Sequence, residues 1–280
     1  MFQFESSSQE LSLLNALRLA EMSYFAYGTQ TDIHNVLSGF SFPNFRFFDV
    51  ADTQAFVAGN DDIVIIAFRG TTSIKDWLTD IKIKLFSFSN GRIHTGFHEA
   101  LDVIWDDLYR TVRTFQDRNQ TIWITGHSLG GALAVLAAAG FLDDGVVDLQ
   151  GVYTFGQPKV GDKIFGKYVD SRLKSKLFRF VYDEDLVTIQ PPFGGYVHIG
   201  CECYFDRMGR FYDKNIGWAK FYSRCASIAI RSSERASDFR AANPGGIADH
   251  GMGYYIRCIK NEMIRRDGGP KTFEEYINFV

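Results

Sequence analysis

The pentapeptide Gly126-His127-Ser128-Leu129-Gly130 places a serine with a glycine two positions to either side. Residues 121–125 before it are short and β-branched, the pattern of a buried strand. Residues 131–139 after it are rich in alanine and leucine, the pattern of a buried helix. A serine at a strand-to-helix junction of this kind is a nucleophile elbow. The turn is so tight that a Cβ at either glycine would collide with neighbouring backbone. The hydroxyl then stands clear at the top of a sheet, with the helix N-terminus behind it to favour negative charge.

A serine hydroxyl is a weak nucleophile at neutral pH. It needs a histidine to take its proton and a carboxylate to orient that histidine. On this kind of sheet the chain order is serine, acid, histidine. After Ser128 only His198 and His250 remain, and His127, next to the serine, is expected to point away from it. His198 falls in a predicted strand over 196–199, where a structural hydrogen bond is its expected role. His250 falls in a loop-like stretch, 243–251, from which it can reach back, so it is preferred. Asp249 beside it is expected to cap a helix beginning near Met252. The acid should sit just past a strand end, and residues 178–182 run into Asp183-Glu184-Asp185. Asp183 and Asp185 both qualify, and Glu184 less well. An ester hydrolase also needs two donors for the developing oxyanion. The Leu129 N–H is one; Thr71, after the apolar strand 63–68, is the candidate for the other.

The elements that must carry these groups follow from periodicity. Ser7-Ser8-Gln9-Glu10 resembles a capping box opening a helix, with Leu13, Leu14, Leu17, Ala20 and Tyr24 on one face and Gly28 as its stop. Residues 45–50 and 54–58 read as strands, 59–62 as a turn, and 63–68 as a strand covered on both faces. Ser73 can cap a short helix with Ile74, Trp77, Leu78 and Ile81 on one face. Placed just after an oxyanion loop, that helix suits a lid, over about 72–90, that covers the nucleophile or meets lipid. Residues 82–86 alternate like a strand or extended arm. Residues 91–98 lead into a long helix whose stripe is Ala100, Leu101, Ile104, Trp105, Leu108, Val112 and Phe115. Strands follow over 150–155 and 176–182, with a helix-capping loop over 156–162 between them. This alternation predicts one α/β domain over residues 1–280, with a mainly parallel central sheet and helices on both faces.

Composition narrows the function. A net charge of −3 and the lack of a basic stripe argue against a nucleic-acid partner. No apolar run is long enough to span a bilayer. The N-terminus has neither a basic region nor a long apolar run, so it does not read as a signal peptide, and a cytoplasmic location is expected unless a signal has been removed. The spacing of Cys201, Cys203, Cys225 and Cys258 matches no zinc framework, and small buried hydrophobes are the expected role.

The sequence resembles the fungal-type (class 3) lipase family of α/β-hydrolases. The resemblance runs through residues 68–72, Trp77, 93–97, 126–131, 153–162, Asp185 with Pro191-Pro192, His198-x-Gly200 and Asp249-His250. It implies an α/β-hydrolase fold with a short helical lid. It also implies a catalytic triad of Ser128, Asp185 and His250, with Thr71 and Leu129 at the oxyanion hole, thereby selecting Asp185 among the open acids. The implied activity is hydrolysis of lipid esters, most of all acylglycerols, at a lipid–water interface. No cofactor and no metal is implied. A short-chain carboxylesterase, a phospholipase A and a feruloyl-type esterase share the chemistry; a lipase-like binding protein without activity would need a broken triad. Two departures stand out: Thr188 where the family commonly has proline, and a long aromatic-rich segment over 204–240 of unassigned role. The sequence does not specify the oligomeric state.

Overall fold

A computed structural model describes residues 2–71, 73–74, 84–145, 149–183, 185–214, 216–217, 220 and 250–267. The strands are β1 (Asn44–Val50), β2 (Thr53–Gly59), β3 (Ile63–Phe68), β4 (Leu85–Phe88), β5 (Gly91–His94), β6 (Thr121–His127), β7 (Leu149–Phe155), β8 (Gly161–Asp162), β9 (Leu177–Tyr182), β10 (Tyr196–Val197), β11 (Cys201–Phe205) and β12 (Phe211–Tyr212). The helices are α1 (Leu13–Phe25), α2 (Gln30–Gly39), α3 (Thr95–Phe115), α4 (Leu129–Asp144), α5 (Lys163–Leu173) and α6 (Met252–Arg266).

The central sheet runs β1-β2-β3-β6-β7-β9-β11-β12. Its middle, from β3 through β6, β7 and β9 to β11, is parallel, and β1, β2 and β12 add antiparallel edges. Alternation along each strand divides the core. Val64, Ile66, Phe68, Ile122 and Ile124 face the layer of α3, α4 and α5. Ile63, Ile65, Ala67, Trp123 and Phe155 face the layer of α1, α2 and α6. With both faces covered, β3 and β7 are buried along their whole length. Helix α4 is apolar all round because it is enclosed: Ala134, Val135, Ala137 and Ala138 have no exposed surface. The expected parallel sheet with helices on both faces is therefore observed.

Several local expectations are corrected. Helix α1 begins at Leu13, not in the Ser7–Glu10 stretch, because the Ser12 hydroxyl accepts the Asn15 N–H and serves as its N-cap. The Asn15 side chain instead ties down the preceding chain, bonding both the N–H and the carbonyl of Glu5. The helix also ends at Phe25, before Gly28. Helix α2 was not expected, although Thr29 and Asp32 form a reciprocal capping box at its start. A second, antiparallel sheet, β10-β8-β5-β4, was not expected either. It divides residues 91–98 into strand β5 and the first turn of α3, and it shortens the predicted 196–199 strand to β10. Its members are too short to show a period. Helix α6 begins at Met252 as expected, but its N-cap is Gly251, not Asp249, which lies outside the described residues. Of the 204–240 segment, the described part contributes the end of β11 and β12. Cys203 and Cys258 are buried, Cys201 is half-buried, and all are free thiols; Cys225 lies outside the described residues.

Strand β6 is tied to α1 by a buried hydroxyl network. Thr125 Oγ1 lies 2.8 Å from Ser23 Oγ, 2.8 Å from the Tyr153 carbonyl and 3.1 Å from the Leu19 carbonyl. Replacing Thr125 with valine preserves the shape and strands the Ser23 hydroxyl. A loss of about 1–3 kcal/mol is expected, read as a fall in thermal midpoint of roughly 2–4 °C per kcal/mol. An unchanged midpoint would show that the network contributes nothing.

Candidate active site

The carboxyl ends of β6, β7 and β9 lie side by side, and the chain turns sharply after each. The Ser128 N–H donates to the Phe155 carbonyl, and the Gly156 N–H to the Phe180 carbonyl. These bonds hold Ser128, Gly156 and the loop after β9 in one row. Ser128 has φ 60° and ψ −130°, a conformation that costs a non-glycine residue about 1–3 kcal/mol. The elbow glycines are required for the reason anticipated. A Cβ on Gly126 would lie 2.2 Å from the Gly130 carbonyl oxygen, and one on Gly130 would lie 2.3 Å from that of Phe68. Gly70 closes the same junction from the other side, since a Cβ there would sit 2.9 Å from that of Ser128. The loop after β3 is thus pressed against the elbow, which brings Thr71 beside Ser128. Thr71 is half-buried, and its hydroxyl accepts the Ser73 N–H at 3.4 Å. Leu129 is the first residue of α4, where backbone N–H groups have no intrahelical acceptor.

The structure separates the two candidate aspartates. Asp183 pairs with Arg207 at 3.0 Å and accepts from the Tyr204 hydroxyl at 3.4 Å. Asp185 Oδ2 lies 2.8 Å from His250 Nδ1 and accepts the Tyr255 hydroxyl at 2.6 Å, while Oδ1 accepts the Val187 N–H at 2.9 Å. Glu184 lies outside the described residues. A carboxylate acceptor requires the proton on Nδ1, so the lone pair of His250 lies on Nε2. Ser128 and His250 are 0% exposed and Asp185 2%. Ser128 Oγ and His250 Nε2 are both buried and have no hydrogen-bond partner, so they are not bonded to each other. A base and its nucleophile commonly close that gap only once substrate is bound. His198 is exposed beyond β10 and joins none of this.

Two residues that the sequence did not single out complete the site. Tyr255, on the first turns of α6, holds the acid; burial and the Asp185 charge push its phenol well above its usual range, so it stays a donor. His127 was expected to point away from the serine, and its ring lies on that of His250, with centroids 4.4 Å apart. Its Nε2 is 2.7 Å from the His250 carbonyl and its Nδ1 2.8 Å from the Tyr27 hydroxyl. Neither had a usable signal in the sequence: Tyr255 lies five residues past His250, which precedes α6, and the contacts of His127 join separated segments. Ile74 is half-buried, while Trp77, Leu78 and Ile81 of the expected lid lie outside the described residues.

The chain is similar to known lipases. A family model described as lipase (class 3) matches residues 65–194. A lipase of Rhizomucor miehei is 35% identical over 164 residues, covering 55% of this chain and 45% of the relative. A secreted mono- and diacylglycerol lipase of Fusarium solani is 33% identical over 150 residues, covering 51% and 44%. The chain therefore spans about half the length of the curated relatives it matches. A solved triacylglycerol lipase, described as having a serine protease triad at its catalytic centre, superposes with a TM-score of 0.59 at 27% identity, covering 71% of this chain and 82% of that one.

His127 also makes stability depend on pH. Burial, reinforced by the neighbouring His250, holds its imidazole well below the usual 6.5. The unfolded chain takes up this proton as pH falls through about 6.5 and the folded protein does not. Stability should therefore be unaffected above that pH and fall below it, by up to about 1.4 kcal/mol per pH unit for this group. Chemical denaturation of wild type and His127→Gln between neutral and mildly acidic pH tests this. The wild-type slope should be steeper by one proton, and equal slopes would mean that folded His127 is protonated.

Proposed function

We propose that the chain, whose residues 65–194 match the class 3 lipase model, is a member of that family and a serine hydrolase of lipid esters, acylglycerols foremost. The observation that carries the reading is the buried bond from His250 Nδ1 to Asp185, which leaves His250 Nε2 free to act as a base, buried and unpartnered like the hydroxyl of the elbow serine. Ser128 Oγ attacks the ester carbonyl carbon while its proton passes to His250 Nε2. Asp185 holds the imidazole and stabilises its charged form. The N–H groups of Thr71 and Leu129 receive the oxyanion. His250 then returns the proton to the departing alkoxide, leaving an acyl group on Ser128. Water, deprotonated by the same nitrogen, releases the carboxylic acid and restores the serine. None of these steps calls for a cofactor.

The relatives bear on the substrate, since they are named for acylglycerol and triacylglycerol hydrolysis. Burial of Ser128 supports a lid: an ester cannot reach a serine without exposed surface until something moves. Exposed Leu186, Ile189 and Phe193, on the loop that carries Asp185, would favour approach to a lipid surface. We take residues 1–280 as one catalytic domain. Among the described residues no helix is long and apolar enough to cross a membrane. The expected cytoplasmic location gains no support from the relatives, of which the Fusarium protein is named as secreted.

Initial rates on p-nitrophenyl esters from acetate to palmitate, and on emulsified triacylglycerol, test the reading. Activity should rise with chain length and increase sharply above the solubility limit. Saturation on acetate with no activity on emulsions would replace it with a soluble carboxylesterase. Ser128→Ala should lower kcat by roughly 10⁴-fold or more, and Asp185→Asn by about 10⁴-fold through the wrong imidazole tautomer. A fluorophosphonate probe should label wild type on Ser128 and leave Ser128→Ala unlabelled; labelling elsewhere would remove Ser128 from the mechanism.

A further inference from the structure

Three polar atoms of the site belong to no part of the reaction just described: the Tyr27 hydroxyl and both nitrogens of His127. They lie in one line. The Tyr27 hydroxyl meets His127 Nδ1 at 2.8 Å, and His127 Nε2 meets the carbonyl oxygen of His250 at 2.7 Å. The protons on this line can be assigned. A carbonyl oxygen only accepts, so Nε2 must carry a hydrogen and donate it. In the neutral ring Nδ1 is then bare and accepts from the tyrosine. The His127 side chain is buried.

We propose that His127 is a positioning residue for the catalytic base: it clamps the main chain of His250 from below and backs its ring, with Tyr27 holding His127 in the one tautomer that can do so. The proposal rests on the triad reading above. Two contacts make the clamp directional. The Nε2–H bond fixes where the His250 backbone sits, and the stacked rings, at 29° to each other, fix the plane in which its imidazole can lie. Gly156 also leaves the ring no slack, since a Cβ there would sit 2.6 Å from His250 Cε1. The imidazole is therefore bounded by His127 and by Gly156, with its Nδ1 bonded to Asp185. His127 immediately precedes Ser128 in the chain, so one rigid turn carries both the nucleophile and the support of its base. Any shift of the elbow moves the two together.

The clamp needs a hydrogen on His127 Nε2, and a Tyr27 hydroxyl donating to Nδ1 disfavours the neutral tautomer that lacks it. The groups facing His127 are Tyr27 from the turn after α1, and His250 and Tyr255 from the C-terminal helical region. Arg69 lies over the Tyr27 ring at 5.7 Å.

The test compares His127→Phe, which keeps a stacked ring and loses both bonds, with His127→Gln, whose amide N–H can still reach the carbonyl, and with Tyr27→Phe. Misplacing a base by about an ångström costs about 10²-fold, so kcat of His127→Phe on a soluble ester should fall by about that factor with KM nearly unchanged. His127→Gln should recover a large part of the loss, and Tyr27→Phe should fall between the two. The far-downfield proton signal of His250 Nδ1–H, bonded to Asp185, gives a reading independent of turnover. It should be sharp in wild type, broadened by exchange in His127→Phe and restored in His127→Gln. Thermal midpoints above the assay temperature exclude unfolding as the cause. An unchanged kcat and a sharp signal in His127→Phe, alongside an inactive Asp185→Asn, would overturn the clamp and leave the triad standing. An active Asp185→Asn would overturn the triad itself.

Discussion

A carboxylate with only 2% of its surface exposed is tolerable only if its oxygens are bonded, and the arrangement of this molecule follows from how Asp185 is satisfied. Its three donors come from different places: His250 from the chain just before α6, Tyr255 from within α6, and Val187 from the loop that Asp185 itself begins. Charge-assisted bonds of this kind are about twice as strong as neutral ones. They fasten the C-terminal helix onto the ends of strands laid down much earlier. Truncating His250 or Tyr255 would loosen both the site and the docking of α6 on the sheet, so the same contacts hold the site and the helix.

The second constraint is steric. The carboxyl ends of β3, β6 and β7 converge on a space into which no extra methyl fits. Gly70 borders the serine and Gly156 the histidine, while Gly126 and Gly130 meet the backbone of the elbow and of the end of β3, all at distances a Cβ would violate. The result is a site with little freedom. The loop after β3 is packed on Ser128 at Gly70, and the turn after β7 is packed on His250 at Gly156. The strain at Ser128 has the same origin: a turn tight enough to hold the hydroxyl at the strand ends forces a positive φ on a residue that carries a side chain.

The closed state of the site is consistent with its inventory of polar atoms. Ser128 Oγ and His250 Nε2 are buried without partners, an expense of unmet hydrogen bonding that an ester and its tetrahedral intermediate would relieve. The supporting atoms, by contrast, are saturated. Tyr27, His127 and Tyr255 each spend their polar groups on another member of the site. Unsatisfied atoms thus coincide with the reacting ones, and satisfied atoms with those that hold them in place.

Sequence alone determined the elements whose signals are local. The elbow is a short run with strand and helix chemistry on either side, the apolar run 63–68 can only be a doubly covered strand, and α3 shows its stripe at helical spacing. The serine, the preferred histidine and the sheet with helices on both faces followed from these. Thr29 and Asp32 carried a local signal for α2 that the reading passed over. Tertiary structure alone decided what depends on separated segments meeting. From their own neighbours Asp183 and Asp185 are equivalent, and in the sequence only the family resemblance favoured Asp185; the geometry that separates them, one facing Arg207 and the other His250, arises because the loop after β9 turns between them. The helix start at Ser12 rather than Ser7 was decided by where Asn15 and Glu5 came to lie. The place of His127 was decided the same way: its nitrogens meet a hydroxyl a hundred positions before it and a carbonyl more than a hundred after, and no period or spacing along one strand of text encodes a bond between three parts of the chain.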